Sequence, residues 1–311
     1  MKKQIVFICI LSLSSFAVLA QDTCRVGVFV TDVFDLNLAE KSFKTKFWIW
    51  ALYKKDSLKI MENLELVNAK EHEYTLTTIE QRGEFSYGAQ KCKAEVKADW
   101  NITDFPFDNQ QLTTTIESGD AETNELIFVP DLKNSLFDTP HIKLDGWKIK
   151  DFKVKGGKRT YSSNYGDPEI KGSANYSSIE FTLYLERDGW GLFFKLFTGL
   201  YVAFGISIMP FFMGPENAER FGLLVGSLFA AVANKYIVDS ILPETTYYTL
   251  VDKIHVITFI YILIGLILTV LAYRLDVAEH RKLARRIDWV SFWTVLISFA
   301  SINVYLIRQA L

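Results

Sequence analysis

The chain has 311 residues, half of them apolar and 23% charged, with a formal net charge of −2. That balance excludes the basic footprint of a nucleic-acid binder, so no nucleic-acid partner is expected. The apolar residues are unevenly placed: 21–188 is polar and rich in Thr, Lys, Glu and Tyr, whereas four long apolar stretches dominate 189–311. This division excludes a single soluble domain, a disordered chain and a disulfide-dense scaffold.

Met1, Lys2 and Lys3 precede an apolar run at 5–16 and a small-residue end at Val18, Leu19 and Ala20. This is the anatomy of a signal peptide (1–20) cleaved after Ala20; the run is short for a membrane span. Cys24 lies four residues past that cut, which argues against a lipoprotein anchor. Export would place the domain at 21–188 outside the cytoplasm, where Cys24 and Cys92 are free to bridge if their strands meet. Sequence leaves that pairing open.

Apolar and polar residues alternate at 26–30, 43–49, 74–79, 92–96, 112–116, 147–154 and 178–185, which predicts strands. Turn signals stand between them at Arg82-Gly83, Ser118-Gly119-Asp120, Asp145-Gly146, Gly156-Gly157 and Gly166-Asp167-Pro168. Many short strands with little helical periodicity favour an antiparallel sandwich. No nucleophile elbow, phosphate loop, zincin helix or Cys/His metal spacing occurs, so no enzyme, metal or cofactor is expected. The four histidines, His72, His141, His255 and His280, are scattered and read as solvated or packed side chains.

The apolar stretches at 191–213, 221–243, 254–272 and 289–307 are each long enough to cross about 30 Å of hydrocarbon as helices. Entering from outside, the chain would cross four times and leave its C-terminus outside as well. Arg274, Arg281, Lys282, Arg285 and Arg286 between the third and fourth stretches mark that loop as cytoplasmic.

The segment from Trp100 through Asn101, Ile102, Thr103, Asp104, Phe105, Pro106, Phe107, Asp108 and Asn109 to Gln110 is the most specific in the chain. It resembles the signature loop of pentameric ligand-gated ion channels, the Cys-loop receptor superfamily. Val96 and Leu112, or their neighbours, stand where eukaryotic members carry the bracketing cysteines, as in the bacterial branch. Glu219-Arg220 at the start of the second helix, Ile241-Leu242-Pro243 at its end and the run from Tyr248 to Asp252 are similar to the pore helix and following loop of amine-gated bacterial members. Arg187 and the run from Leu64 to Asn68 also fit. The resemblance covers nearly all of the mature chain.

It implies an all-β immunoglobulin-like sandwich at 21–188, extracellular or periplasmic, followed by an all-α four-helix transmembrane pore domain at 189–311. It further implies a homopentamer in the lipid bilayer of the plasma (inner) membrane, with the second helix lining a central pore. At helical spacing that helix presents Gly222, Gly226, Phe229, Ala233, Tyr236 and Ser240 on one face, which a pentamer turns into rings. Glu219 would add a ring of carboxylates at the cytoplasmic mouth, favouring permeating cations. Two plainer readings remain beside these: Gly222 and Gly226 as a close helix-packing motif, and Glu219 as an acid suited to a helix N-terminus. Lys235 and Asp239, four apart, are expected to pair.

The resemblance also implies a junction at which Pro106, Phe107, Asp108, the turn around 38–44, Arg187, Pro243, Tyr248 and Asp252 couple ligand binding to the pore. A largely buried guanidinium needs a carboxylate, so Arg187 is expected to pair with Asp108. The ligand site would lie between subunits under the hairpin at 159–176. There Tyr161, Tyr165 and Tyr176 offer aromatic faces to a cation, and Glu117 matches a carboxylate beside the bound amine in related channels. Gly119 replaces an aromatic of that site, and Gly199 a proline of the first helix, with Pro210 occurring later. The expected agonist is a small molecule or an ion. Gating by protons or divalent cations, and a non-conducting membrane-anchored sensor, are the alternatives.

Overall fold

Alternation of buried and exposed residues builds the first half of the chain. In the computed structural model, which describes residues 21–54, 59–163, 165–166 and 172–311, β2 (Ser42–Tyr53) buries Phe43, Thr45, Phe47, Ile49, Ala51 and Tyr53, every second side chain. The expected signal peptide lies outside the described residues.

β2 sits between β1 (Asp22–Asn37) and β5 (Phe85–Lys97) in a sheet of order β4-β5-β2-β1-β7, with β4 at Ala69–Arg82 and β7 at Leu126–Pro130. β8 (Leu136–Phe137) pairs beside β7 on β1, and both run parallel to it. The second sheet has the order β3-β6-β10-β9, from Leu64–Leu66, Asn109–Glu122, Ala174–Arg187 and Trp147–Tyr161. The inner residues of both sheets share one core, in which the Phe47 and Phe181 rings meet edge-on with centroids 5.0 Å apart. All seven expected strands lie within longer ones.

Two of the expected turns are strand interior instead. Gly156 and Gly157 fall within β9, and Ser118, Gly119 and Asp120 within β6. Close approach explains these glycines better than chain reversal: a Cβ on Gly157 would stand 2.9 Å from Ser178 Oγ, and one on Gly119 would stand 3.1 Å from the Asn63 carbonyl oxygen. Gly83 and Gly146 do take the left-handed backbone of true turns, with φ of 65° and 78°.

The open question of the cysteines is resolved against a bridge. Register puts Cys92 opposite Phe47, and Arg25, next to Cys24, opposite Leu52, with β2 lying between the two strands. The thiols are therefore two strand spacings apart, roughly 10 Å, and roughly 20 Å offset along the strands. Both are free and buried, and burial raises each thiol to about 12.

Four helices follow, all long and apolar enough to cross a membrane: α1 (Gly189–Ile208, continued by a 3-10 turn at Met209–Phe212), α2 (Glu219–Asp239), α3 (Leu250–Val277) and α4 (Arg281–Ala310). α2 ends before Pro243. α3 and α4 outrun their apolar stretches, because Arg274, Arg281, Lys282, Arg285 and Arg286 are good helix formers that continue both helices. A capping box opens α3: Asp252 N–H donates to Thr249 Oγ1, and Thr249 N–H donates to Asp252 Oδ2. In the bundle, Phe204 of α1 stacks on Phe299 of α4 with centroids 3.6 Å apart. Fully buried Arg220 of α2 bonds the Pro210 carbonyl at 2.9 Å and the Asp288 carboxylate of α4 at 2.5 Å.

Candidate functional site

Three groups of the expected residues fall in three places. The first is the junction between the β domain and the helices. The loop from β5 to β6 buries Ile102, Phe105, Pro106 and Asp108, so it leaves the sheet as a packed wedge. Gln110 fixes it by donating to the Asn101 carbonyl and to Asp108 Oδ2, at 2.8 and 2.5 Å. Arg187, the last residue of β10, grips Asp108 with two parallel bonds, Nε to Oδ1 at 2.7 Å and a terminal nitrogen to Oδ2 at 3.1 Å. Its guanidinium lies over the Trp147 and Phe105 rings, 3.9 and 4.9 Å from their centroids.

The same loop reaches both neighbouring helices. Phe107 stacks on Phe193 of α1 at 5.6 Å, and the Leu250 N–H at the start of α3 donates to the Thr103 carbonyl at 2.8 Å. A Cβ on Gly189 would stand 2.1 Å from the Pro106 carbonyl oxygen, so only glycine lets α1 begin so close to the loop. The turn around 38–44 joins through Trp100, whose indole N–H donates to the Asn37 carbonyl at 3.1 Å. Pro243, Tyr248 and Asp252 line a neighbouring cavity of about 620 Å³ together with Ile102 and Lys235. Lys235 pairs with Asp239 as expected, and also with Asp252 of α3 at 2.9 Å. Tyr248 is exposed.

The second group is the face of α2. Glu219, Gly222, Gly226, Phe229, Ala233, Tyr236 and Ser240 are all exposed, with Phe229 at 69% and Tyr236 at 78%, while Arg220, Leu224, Ser227, Ala231 and Val238 are buried against the other helices. An added Cβ on Gly222 or Gly226 meets nothing within 4 Å, so the close-packing motif has no partner among the described residues of this chain.

The third group lies on the outer face of the second sheet. Glu117 of β6 is 3% exposed although it points away from the core. Tyr161 of β9 donates to Glu117 Oε1 at 2.6 Å, and Arg159 Nε stands 3.7 Å from Oε2. Burial raises the Glu117 carboxyl above its usual range, partly offset by the Tyr161 bond and the Arg159 charge. Tyr161 is itself pushed up to about 12 by burial and by its bond to Glu117. Tyr176 meets Tyr161 edge-on at 5.8 Å. Tyr165 is 61% exposed on a left-handed backbone with φ of 51°, within electrostatic reach of Tyr176.

Glu117 Oε2 and the Oγ of Ser178, its neighbour across β6 and β10, are buried without hydrogen-bond partners. Ser178 and Arg159 escaped sequence reasoning because nothing in a strand pattern tells which register brings them beside Glu117. Asp288 escaped it too, because it stands at the edge of the apolar stretch, beside the basic run at 281–286, where a carboxylate is unremarkable.

Compared with models of known protein families and with curated proteins, the chain matches none.

Proposed function

We propose that the chain is one subunit of a homopentameric ligand-gated ion channel that prefers cations. The observation that carries this reading is the α2 face. Seven residues, including a carboxylate, two glycines and a tyrosine, stand together on the side turned from α1, α3 and α4. A lipid-facing side does not need Glu219, and carboxylates in hydrocarbon are costly. Five copies around an axis would give that face water, with Phe229 and Tyr236 as constrictions that stop ions by dewetting. In this reading the two-sheet domain is an immunoglobulin-like sandwich outside the cell, and the basic ends of α3 and α4 are cytoplasmic.

Ligand binding belongs to the Glu117 cluster at a subunit interface. A small cationic donor fits a buried carboxylate that retains a free acceptor oxygen beside Ser178 Oγ and two tyrosine rings. The junction carries the signal, since the Asp108 loop bonds α3 directly and abuts α1.

Voltage-clamp recording of the expressed protein tests the reading, with primary amines, pH steps and calcium removal as stimuli. Currents reversing with the cation gradient are expected. Reversal that follows chloride rejects the selectivity. Silence from surface pentamers, together with a silent Phe229→Ala variant, rejects the channel.

A further inference from the structure

His255 lies in α3 with no exposed surface. Its Nδ1 stands 2.8 Å from the Val251 carbonyl oxygen, and its Nε2 stands 2.9 Å from Asn234 Oδ1 on α2. A carbonyl can only accept, so Nδ1 must carry a proton. The orientation of Asn234 is set by its other contact, because its Nδ2 donates to the Leu196 carbonyl of α1 at 3.0 Å. Turning the amide over would set its oxygen against the Leu196 oxygen, acceptor to acceptor. Nε2 therefore faces a second acceptor and must carry a proton too. Both contacts are made together only by the imidazolium.

Charged and apolar groups from three helices surround the ring. α2 contributes Lys235 and Asp239, and α3 contributes Asp252, all within electrostatic reach of the imidazole. α1 presents the Phe197 ring, 5.7 Å from the imidazole, and the Leu196 carbonyl.

We propose that His255 is a proton-binding site whose occupancy decides whether Asn234 holds α2 to α1 and α3 at once. With the proton bound, α3, Asn234 and α1 form one continuous chain of hydrogen bonds. After the proton leaves, Nε2 becomes an acceptor. Asn234 then either turns its amide toward it and gives up Leu196, or keeps Leu196 and faces His255 acceptor to acceptor. Either way Asn234 loses one of its two ties. The inference uses contacts within one chain and stands apart from the channel reading.

Solid-state NMR of full-length protein labelled with ¹⁵N at histidine and asparagine, in lipid bilayers, tests it across pH 4.5 to 9, with His255→Asn and Asn234→Leu identifying the two signals. An imidazolium with both nitrogens protonated is expected at the acidic end. It should convert to a single neutral tautomer as pH rises, and the Asn234 side-chain ¹⁵N resonance should shift over the same interval. Asn234→Leu removes the second acceptor and should convert His255 to the neutral form at lower pH than wild type, by about one pH unit or more. His255 neutral throughout that range, or the same titration with and without Asn234, overturns the proposal. If Asn234→Leu fails to fold, Asn234→Asp serves instead, and it should hold the imidazolium to higher pH.

Discussion

Arg187 and Asp108 form a two-bond ion pair that is almost wholly buried, with side-chain exposures of 9% and 1%, at the point where β10 hands over to α1. The pair joins the last strand of the β domain to the loop that touches α3. Its backbones are joined as well, since the Arg187 N–H donates to the Asp108 carbonyl at 3.1 Å.

Breaking one partner of such a pair leaves the other charge buried. Arg187→Ala and Asp108→Ala should each destabilise the protein by about 3–5 kcal/mol. Because both remove the same interaction, the double variant should lose much less than the two combined. Denaturant unfolding of the detergent-solubilised protein measures the cycle. Strict additivity would show that the pair contributes packing and not coupling.

Glu117 gives stability an unusual dependence on pH. Its carboxyl titrates above the usual range because burial disfavours the charge. Between the unfolded and folded values the native state holds the extra proton, so stability is greatest below the unfolded value, near 4.5, and declines as pH rises through the raised one. Glu117→Gln removes that dependence. The variant should gain on wild type as pH climbs past 4.5 and lose the advantage below it. Thermal unfolding at several pH values reads the difference, and the opposite trend would mean that Tyr161 and Arg159 outweigh the burial.

Most of the β domain was legible as alternation, because a strand with one face in a core must alternate. The strand at 43–49 is a clear case, with its core residues at every second position. β3, β7 and β8 have five residues or fewer, too short for a period to register. β4 was visible at 74–79 but not beyond, since nearly all of it is exposed and its sequence answers to pairing with β5 and not to burial. The Arg187–Asp108 pair followed from the junction that the resemblance implies, together with the need of a buried guanidinium for a carboxylate. The His255–Asn234 contact did not, because it depends on how α2 and α3 rotate against each other, which apolar periodicity leaves undetermined. Glu117 was legible as a candidate, but its burial comes from Tyr161 and Arg159 two strands away in the sheet.

The α2 face supports a test that needs no agonist. Cysteine placed singly at 222, 226, 229, 233, 236 and 240 should react with a water-borne charged thiol reagent, whereas cysteine at 224, 227 and 231 should not. Among the described residues the native background is quiet: Cys24 and Cys92 are buried, and their thiols are pushed up to about 12, so almost no thiolate exists at pH 8; Cys9, in the expected signal peptide, is replaced by serine in every variant. Helical spacing makes the pattern diagnostic, since reactive positions recurring every three or four residues define one wet stripe. A lipid-facing stripe would exclude the charged reagent at all six positions yet admit an apolar maleimide. Labelling in intact membranes, read as mass addition to the purified chain, separates these outcomes. Reaction with the apolar probe alone would place α2 against lipid and remove the pore from the channel reading.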